Sequence, residues 1–324
     1  MLKQEKIKKV NNVDILIISN SLDFTTDYVC LELDNRKAKY LRLNRDQFNK
    51  YQVVCDVGAG TITVEMDNVV YFISQPSLKA IYYRAPIYLR DNYKPGLDER
   101  QQLFRTQWTA FIRNLAIFED IIWVNNPVAT FKAENKILQL KYAYNVGFLC
   151  PKTVVTNTNA IDLETNREYI VKSLDTAVLR IGDKEAFVYS NKMQESELKN
   201  SLLELAPVIV QEYVNPKIDV RVTVVGETVY TVRIFSKGKG VDGDWRKLKQ
   251  DLDFIPFCLP PEIEQKCVDL IKLLGLSFGA IDLIESKSDY YFIEVNPTGE
   301  WAWLVETAKL KIYKGIVDFL EGKR

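Results

Sequence analysis

Between Phe278 and Asn296 the chain alternates apolar and polar side chains in two runs separated by a short polar break. Such a pattern admits little besides an antiparallel hairpin with one buried face. With Lys287, Ser288 and Asp289 as a three-residue loop, Ser286 pairs with Tyr290 and Asp282 falls opposite Glu294. Side chains alternate along a strand, so Asn296 shares the face of Glu294, and Ile281, Leu283, Ile293 and Val295 take the other. The hairpin therefore presents an oxygen-rich cluster of Asp282, Glu294 and Asn296, backed by an apolar layer. Two adjacent carboxylates repel unless a proton or cation intervenes. Hard oxygen donors without histidine or cysteine suit magnesium, which takes one or two carboxylates plus substrate phosphates. A solvated hairpin edge has the same composition. The turn Asn296-Pro297-Thr298-Gly299, rigid and directly behind the donors, favours the metal.

The rest of the chain reads as α+β in three successive units, 1–120, 121–207 and 208–324. In the first, Val13–Ser19, Ala38–Leu43 and Lys79–Arg84 are strands, and Phe24–Arg36 is a helix with Asp23 at its start. Thr61–Met66 and Val69–Ser74 form a hairpin around Asp67-Asn68, and Leu97–Glu119 carries apolar residues at helical spacing. The second unit holds a short strand at Ile122-Trp123-Val124, a helix over Glu134–Asn145 capped by Gly147, and strands at Lys152–Val155, Glu168–Lys172 and Ala186–Tyr189. The last two strands flank a loop with Gly182, and a helix over Glu195–Leu205 follows. The third opens with the strand Val208–Val214, followed by Arg221–Val225 and Thr228–Ile234 around Gly226-Glu227. A loop over Ser236–Arg246, a helix over Pro260–Leu274 closed at Gly275, the hairpin and a C-terminal helix complete it.

At 324 residues the chain exceeds one small core. Lysine plus arginine and aspartate plus glutamate number 43 each, a balance that gives no support to nucleic-acid binding. No apolar run approaches the ~20 residues of a membrane helix. Five scattered cysteines without a CxxC pair argue for a reducing cytoplasm and against disulfides or a zinc site. The sequence has no histidine, which removes Ser-His-Asp and Cys-His catalysis and most imidazole-ligated metals. Carboxylates, lysines, arginines and a cofactor must carry any chemistry.

Cations for phosphate are available at Lys172, which ends a strand, and at Lys136, near a helix start; no GxxxxGK[ST] loop accompanies them. A strand-end lysine is also an ordinary surface residue. In Gln211-Glu212-Tyr213-Val214 an apolar strand turns polar where the third unit begins, and its backbone is placed to read an adenine edge. Asp219 and Arg221 share a strand face beside Arg233, an arrangement equally open to a cross-strand salt bridge.

Taken in order, Lys136, Lys172, Gln211-Glu212-Tyr213-Val214, Asp219-Val220-Arg221, Asp282 and Glu294-Val295-Asn296-Pro297 resemble the nucleotide and metal elements of ATP-grasp enzymes. The resemblance implies that Lys136 and Lys172 contact the phosphates of ATP, that Glu212 to Val214 meet the adenine, and that Arg221 sits near the phosphates. It also implies that Asp282, Glu294 and Asn296 hold magnesium (Mg2+), and that ATP lies between the central and C-terminal units. Trp123-Val124-Asn125-Asn126-Pro127, Ala133-Glu134-Asn135-Lys136, Gln139-Leu140, Gly147, Pro151-Lys152-Thr153, Asp244-Trp245-Arg246 and Asn296-Pro297-Thr298-Gly299-Glu300-Trp301 further resemble graspetide synthetases, the microviridin-type peptide cyclases. Tyr83-Arg84-Ala85-Pro86 departs from their pattern, with alanine where a second arginine is expected.

That family implies activation of Asp or Glu side chains in a ribosomal precursor peptide as acyl phosphates, then capture by Ser/Thr hydroxyls or Lys amines. It implies a leader-plus-core peptide partner, a homodimer and a cytoplasmic setting. Arg221 and Arg246 are the candidates for steadying the acyl phosphate or carboxylate. Trp301 and Trp303 are candidates for a peptide channel, with core packing expected for at least one. Two other readings fit the same residues: a ligase adding free amino acids, and a non-catalytic nucleotide- or peptide-binding module.

Overall fold

Ile15–Ser19, five consecutive buried residues, can be satisfied only inside a sheet covered on both faces. The computed structural model, which describes residues 9–84, 96–175, 178–181, 184–187, 190–248 and 251–323, places it so. It lies in a parallel four-stranded sheet ordered Tyr40–Asn44, Ile15–Ser19, Ala80–Tyr83, Ile122–Val124. Asp23 caps the helix Phe24–Asn35 by accepting from the amides of Thr25 and Thr26. A second sheet runs Lys9–Asn12, Val69–Ser74, Thr61–Met66, Gln52–Asp56. Its expected hairpin turns at Asp67 and Asn68, both with positive φ (51° and 63°), the backbone of a type I′ turn. Leu16, Ile18, Leu41, Val64, Ile81 and Ile112 join these layers in one core.

The described residues form two compact units, Met1–Thr130 with Lys311–Arg324, and Phe131–Leu310. This grouping differs from the three-way division read from sequence in three respects. The strand Ile122–Val124 belongs to the first unit. The strands on either side of residue 208 share one unit, and the last helix packs with the first. In the second unit, Asn191–Gln194, Glu168–Lys172, Val208–Glu212 and Thr153–Thr156 form an antiparallel sheet in that order. A five-stranded antiparallel sheet follows, ordered Leu252–Pro256, Thr228–Ser236, Ile218–Val225, Phe278–Ser286, Asp289–Asn296. The helix Pro261–Leu273 buries Ile263, Cys267, Leu270 and Ile271. Gly279 lets the helix approach, because a Cβ there would stand 2.3 Å from Ile271 Cδ1.

Several elements depart from expectation, each for a local reason. The helix expected over Glu134–Asn145 begins at Lys136, and a helix that was not expected, Pro127–Ala133, precedes it. Asn135 Nδ2 donates to the carbonyls of Phe131 (3.2 Å) and Lys132 (2.9 Å), ending the first. Glu195–Leu205 is a short helix, Glu195–Lys199, and a separate 3₁₀ turn, Leu203–Leu205. There Asn200 Nδ2 and Ser201 Oγ donate to the carbonyls of Ser196 and Leu198 in competition with the backbone. The helix over Leu97–Glu119 spans Glu99–Asn114 behind an Asp98–Gln101 capping box. The strand Leu252–Pro256 was not expected, and the C-terminal helix is divided into Ala302–Ala308 and Ile312–Leu320. Ala85-Pro86, Gly182 and the 188–189 end of the strand expected at Ala186–Tyr189 lie outside the described residues.

The hairpin of 278–296 forms with a different turn. Ser286 pairs with Asp289 across a two-residue turn, and a bulge between Asp282 and Leu283 restores the pairing of Asp282 with Glu294. The expected juxtaposition is therefore reached by another route. The extra residue is Ile293, which the sequence placed on the apolar face. The bulge instead sets it beside Glu294 in the lining of a cleft, while Phe292 and Val295 are buried.

Candidate active site

Strand register builds the site. Arg221 lies directly opposite Asp282, and Asp282 directly opposite Glu294, so three charged residues stand abreast on three neighbouring strands. Arg221 Nη1 donates to Asp282 Oδ1 at 2.8 Å and Nη2 to the Glu300 carbonyl at 3.3 Å. The cross-strand ion pair allowed for Arg221 thus forms with Asp282. Asp219 pairs instead with Lys217, two residues earlier and just before the strand begins, at 2.6 Å. Arg233 pairs with Glu285 through two hydrogen bonds.

Glu294 is the electrostatic centre. Lys136 Nζ stands 3.4 Å from its Oε2, and Arg246 Nη1 donates to its Oε1 at 3.2 Å. Burial pushes this carboxyl up, but Lys136, Lys172 and Arg246 together hold it down at about 2. Lys172, 8% exposed, donates to Gln211 Oε1 at 3.2 Å, and Gln211 Nε2 donates to Thr153 Oγ1 at 2.8 Å. Burial draws the Lys172 ammonium below its ordinary value, with Glu294 opposing. Asp244 grips the Arg246 guanidinium at 2.9 and 3.1 Å, a bidentate hold that fixes its plane. Asp219, buried beside Lys217, is raised to about 6 by desolvation that the lysine only partly offsets.

The helix bearing Lys136 is fastened to the strand bearing Glu294 by one side chain. Gln139 Oε1 accepts from the Val295 amide at 2.9 Å, and its Nε2 donates to the Val295 carbonyl at 2.8 Å and to the Ala133 carbonyl at 2.6 Å. All three contacts are buried, so the register of that helix against Glu294 is fixed.

These elements line one cleft. Lys172, Gln211 to Val214, Asp219, Arg246, Asp282 and Glu294 all border it, together with the apolar Ile170, Ile284 and Ile293. Arg221 and Asn296 border an adjoining pocket with Trp245, Arg246, Gly299, Glu300 and Trp303. Lys136 reaches Glu294 from a third pocket that also contains Asn135 and Asp175. Of the two tryptophans, Trp301 is fully buried, whereas Trp303 joins Trp245 and Phe254 in an aromatic cluster with centroids 4.7–6.2 Å apart.

Sequence reasoning missed Lys217, Lys192 and Asp242. Lys217 was detectable, since it stands two residues before Asp219. Lys192 and Asp242 meet only through the fold.

A cleft with a buried lysine, apolar isoleucines and a polar strand edge, facing paired carboxylates on a hairpin, suits a nucleotide and its cation, and the likenesses that follow make the chain an ATP-grasp carboxylate ligase of the ADP-forming kind. Residues 161–320 match the RimK-like ATP-grasp domain, so the α+β fold here is the ATP-grasp fold. Tetrahydromethanopterin:alpha-L-glutamate ligase of Methanocaldococcus jannaschii is 25% identical over 294 residues, covering 80% of this chain and 96% of that protein. The macrocyclase MdnC from Microcystis aeruginosa MRC, solved bound with precursor peptide MdnA, superposes with TM-score 0.78 and 25% identity, over 95% of this chain and 99% of its own. A Chryseobacterium gregarium RiPP-associated ATP-grasp ligase, solved with ADP and a leader and core peptide, gives 0.81 and 27%, over 97% of each chain.

Proposed function

We propose that this chain is a peptide cyclase of the graspetide type, joining Asp or Glu side chains of a ribosomal precursor peptide to Ser/Thr hydroxyls or Lys amines. The observation that carries the reading is Glu294, a buried carboxylate held ionised among Lys136, Lys172 and Arg246 and directly opposite Asp282. The likeness to two ligases solved with peptide supports the substrate class.

The donor set suits magnesium. Among the described residues no three acids, histidines or cysteines gather to form a complete cage. Asp282, Glu294 and the Asn296 amide supply hard oxygens for one side of the ion and leave the rest to phosphate and water. ATP suits the cleft, with Ile170, Ile284 and Ile293 against the base and the polar edge of Gln211, Glu212, Tyr213 and Val214 alongside. When bound, ATP would supply the phosphoryl group that activates the peptide carboxylate, and its cation would neutralise the phosphate charge. Lys136 and Lys172 neutralise phosphate charge. Arg221 and Arg246 hold the carboxylate oxygens in place, and Asp244 keeps the Arg246 plane aimed. Asp219, paired with Lys217, borders the nucleotide cleft. With no imidazole in the chain, the nucleophile's proton leaves to a carboxylate, a phosphate oxygen or solvent. A homodimer in a reducing cytoplasm completes the reading, which suits five free cysteines.

Each bond formed removes one water from the peptide and turns one ATP into ADP and phosphate. A leader-bearing precursor incubated with the protein, ATP and magnesium should lose mass in whole waters, with equal ADP release, as read by mass spectrometry and a coupled assay. The glutamate-ligase relative favours a second reading, addition of free amino acids. A peptide or small molecule that gains residue mass in the presence of glutamate establishes that reading and overturns the cyclase.

A further inference from the structure

Tyr213 borders the nucleotide cleft, yet its phenol is engaged elsewhere. The hydroxyl donates to Asp242 Oδ1 at 2.7 Å and accepts from the Gly243 amide at 3.0 Å. Lys192 closes the other side, with its Nζ 2.8 Å from Asp242, 3.2 Å from Glu168 and 4.9 Å above the Tyr213 ring. Gly243 has φ +76°, a conformation disfavoured for other residues, and it turns the chain directly into Asp244. Asp244 then caps the turn by accepting from the Arg246 amide at 3.1 Å and grips the same residue's guanidinium, which reaches Glu294. Polar contacts on either side of the Gly243–Asp244 backbone thus join the strand end at the nucleotide cleft to the arginine at the metal hairpin.

We propose that Tyr213, Asp242 and Lys192 form a latch that positions Arg246, so that the segment bordering the base sets the placement of the group that holds the acyl donor. This rests on the ATP-grasp reading and gives Tyr213 two roles, since its backbone and ring border the base while its hydroxyl holds the Asp242–Arg246 loop. Tyr213 is a positioning residue in this scheme, acting through Arg246.

Tyr213→Phe keeps the ring and its lysine and deletes the hydroxyl. Amide exchange at Gly243 should accelerate about tenfold, and kcat for peptide-dependent ADP release should fall about tenfold, the equivalent of one strong hydrogen bond. Asp242 does not border the nucleotide cleft, so Asp242→Asn should reproduce the pattern with ATP affinity changed less than about twofold. Because both changes act on one group, Arg246→Lys should cost less in the Tyr213→Phe background than alone. Unaltered Gly243 exchange, or penalties of Tyr213→Phe and Arg246→Lys that simply multiply, overturns the latch. Wild-type protein without peptide-dependent ADP release overturns the cyclase reading instead, and Gly243 exchange still decides the latch.

Discussion

Lys172 sits in the cleft against its own solvation. Nine-tenths of its surface is lost, and burial is the dominant influence on its ammonium. A cation kept under those conditions costs the folded chain stability and is retained for what it binds. Lys172→Met should therefore leave the melting temperature level or raise it, while calorimetry shows ATP affinity falling about tenfold or more, the worth of a charge-assisted contact. Unchanged ATP affinity would remove the phosphate role. Asp219 makes the complementary case. Its carboxyl is raised to about 6, so the folded state keeps a proton that the unfolded chain, near 3.8, releases. The sign follows: as pH falls from about 6 towards 3.8, this group increasingly favours folding. A carbon-13 titration of the Asp219 carboxyl should have its midpoint near 6, and a midpoint near 4 would show that Lys217 fully offsets burial.

The hairpin shows what was legible in the sequence and what was not. Alternation together with a three-residue loop placed Asp282 opposite Glu294, and a buried face tolerates no slip of one residue. The turn length and the bulge escaped, since a shorter turn and one extra residue cancel in the pairing of those two positions. Ile293 changed face, and the partners of Leu283 to Ser286 each moved by one residue. Lys136 and Lys172 were singled out by order, but the approach of Lys136 to Glu294 needed Gln139, whose fastening of helix to strand is a tertiary contact with no local signature. The turn after the hairpin carries a similar constraint. A Cβ on Gly299 would lie 2.4 Å from Ala280 Cβ and 2.9 Å from Arg221 Nη2. Gly299→Ala must move the turn or the guanidinium, disturbing the hold of Arg221 on the Glu300 carbonyl and with it the seat of Arg221 beside Asp282. The expected outcome is a fall in kcat of about tenfold or more with little change in ATP affinity. Wild-type kcat in that variant would place Arg221 outside the reaction.

At the scale of the whole molecule, the final helix returns to the unit where the chain begins. Ile312, Ile316, Val317 and Leu320 are fully buried there. Arg36 pairs with Asp318 at 2.6 Å and with Glu321 at 2.7 Å, and Tyr28 stacks on Tyr313 at 5.8 Å between centroids. Periodicity identified a C-terminal helix but not its partner, because an apolar stripe states only that something covers it. The ion pairs are partly exposed and add little. Burial dominates, since a fully buried aliphatic side chain is worth about 1.5–3 kcal/mol, so four approach the roughly 5–15 kcal/mol that holds a domain folded. Removing residues 311–324 should therefore unfold the first unit. Hydrogen exchange should show Ile15–Ser19 losing protection while Val208–Glu212, in the other unit, keeps it and ATP still binds. Ile316→Ala is the milder form, expected to cost about 2–5 kcal/mol through its cavity and to appear in the same strands. Full protection of Ile15–Ser19 in the truncated chain would show that the first unit holds without its returning helix.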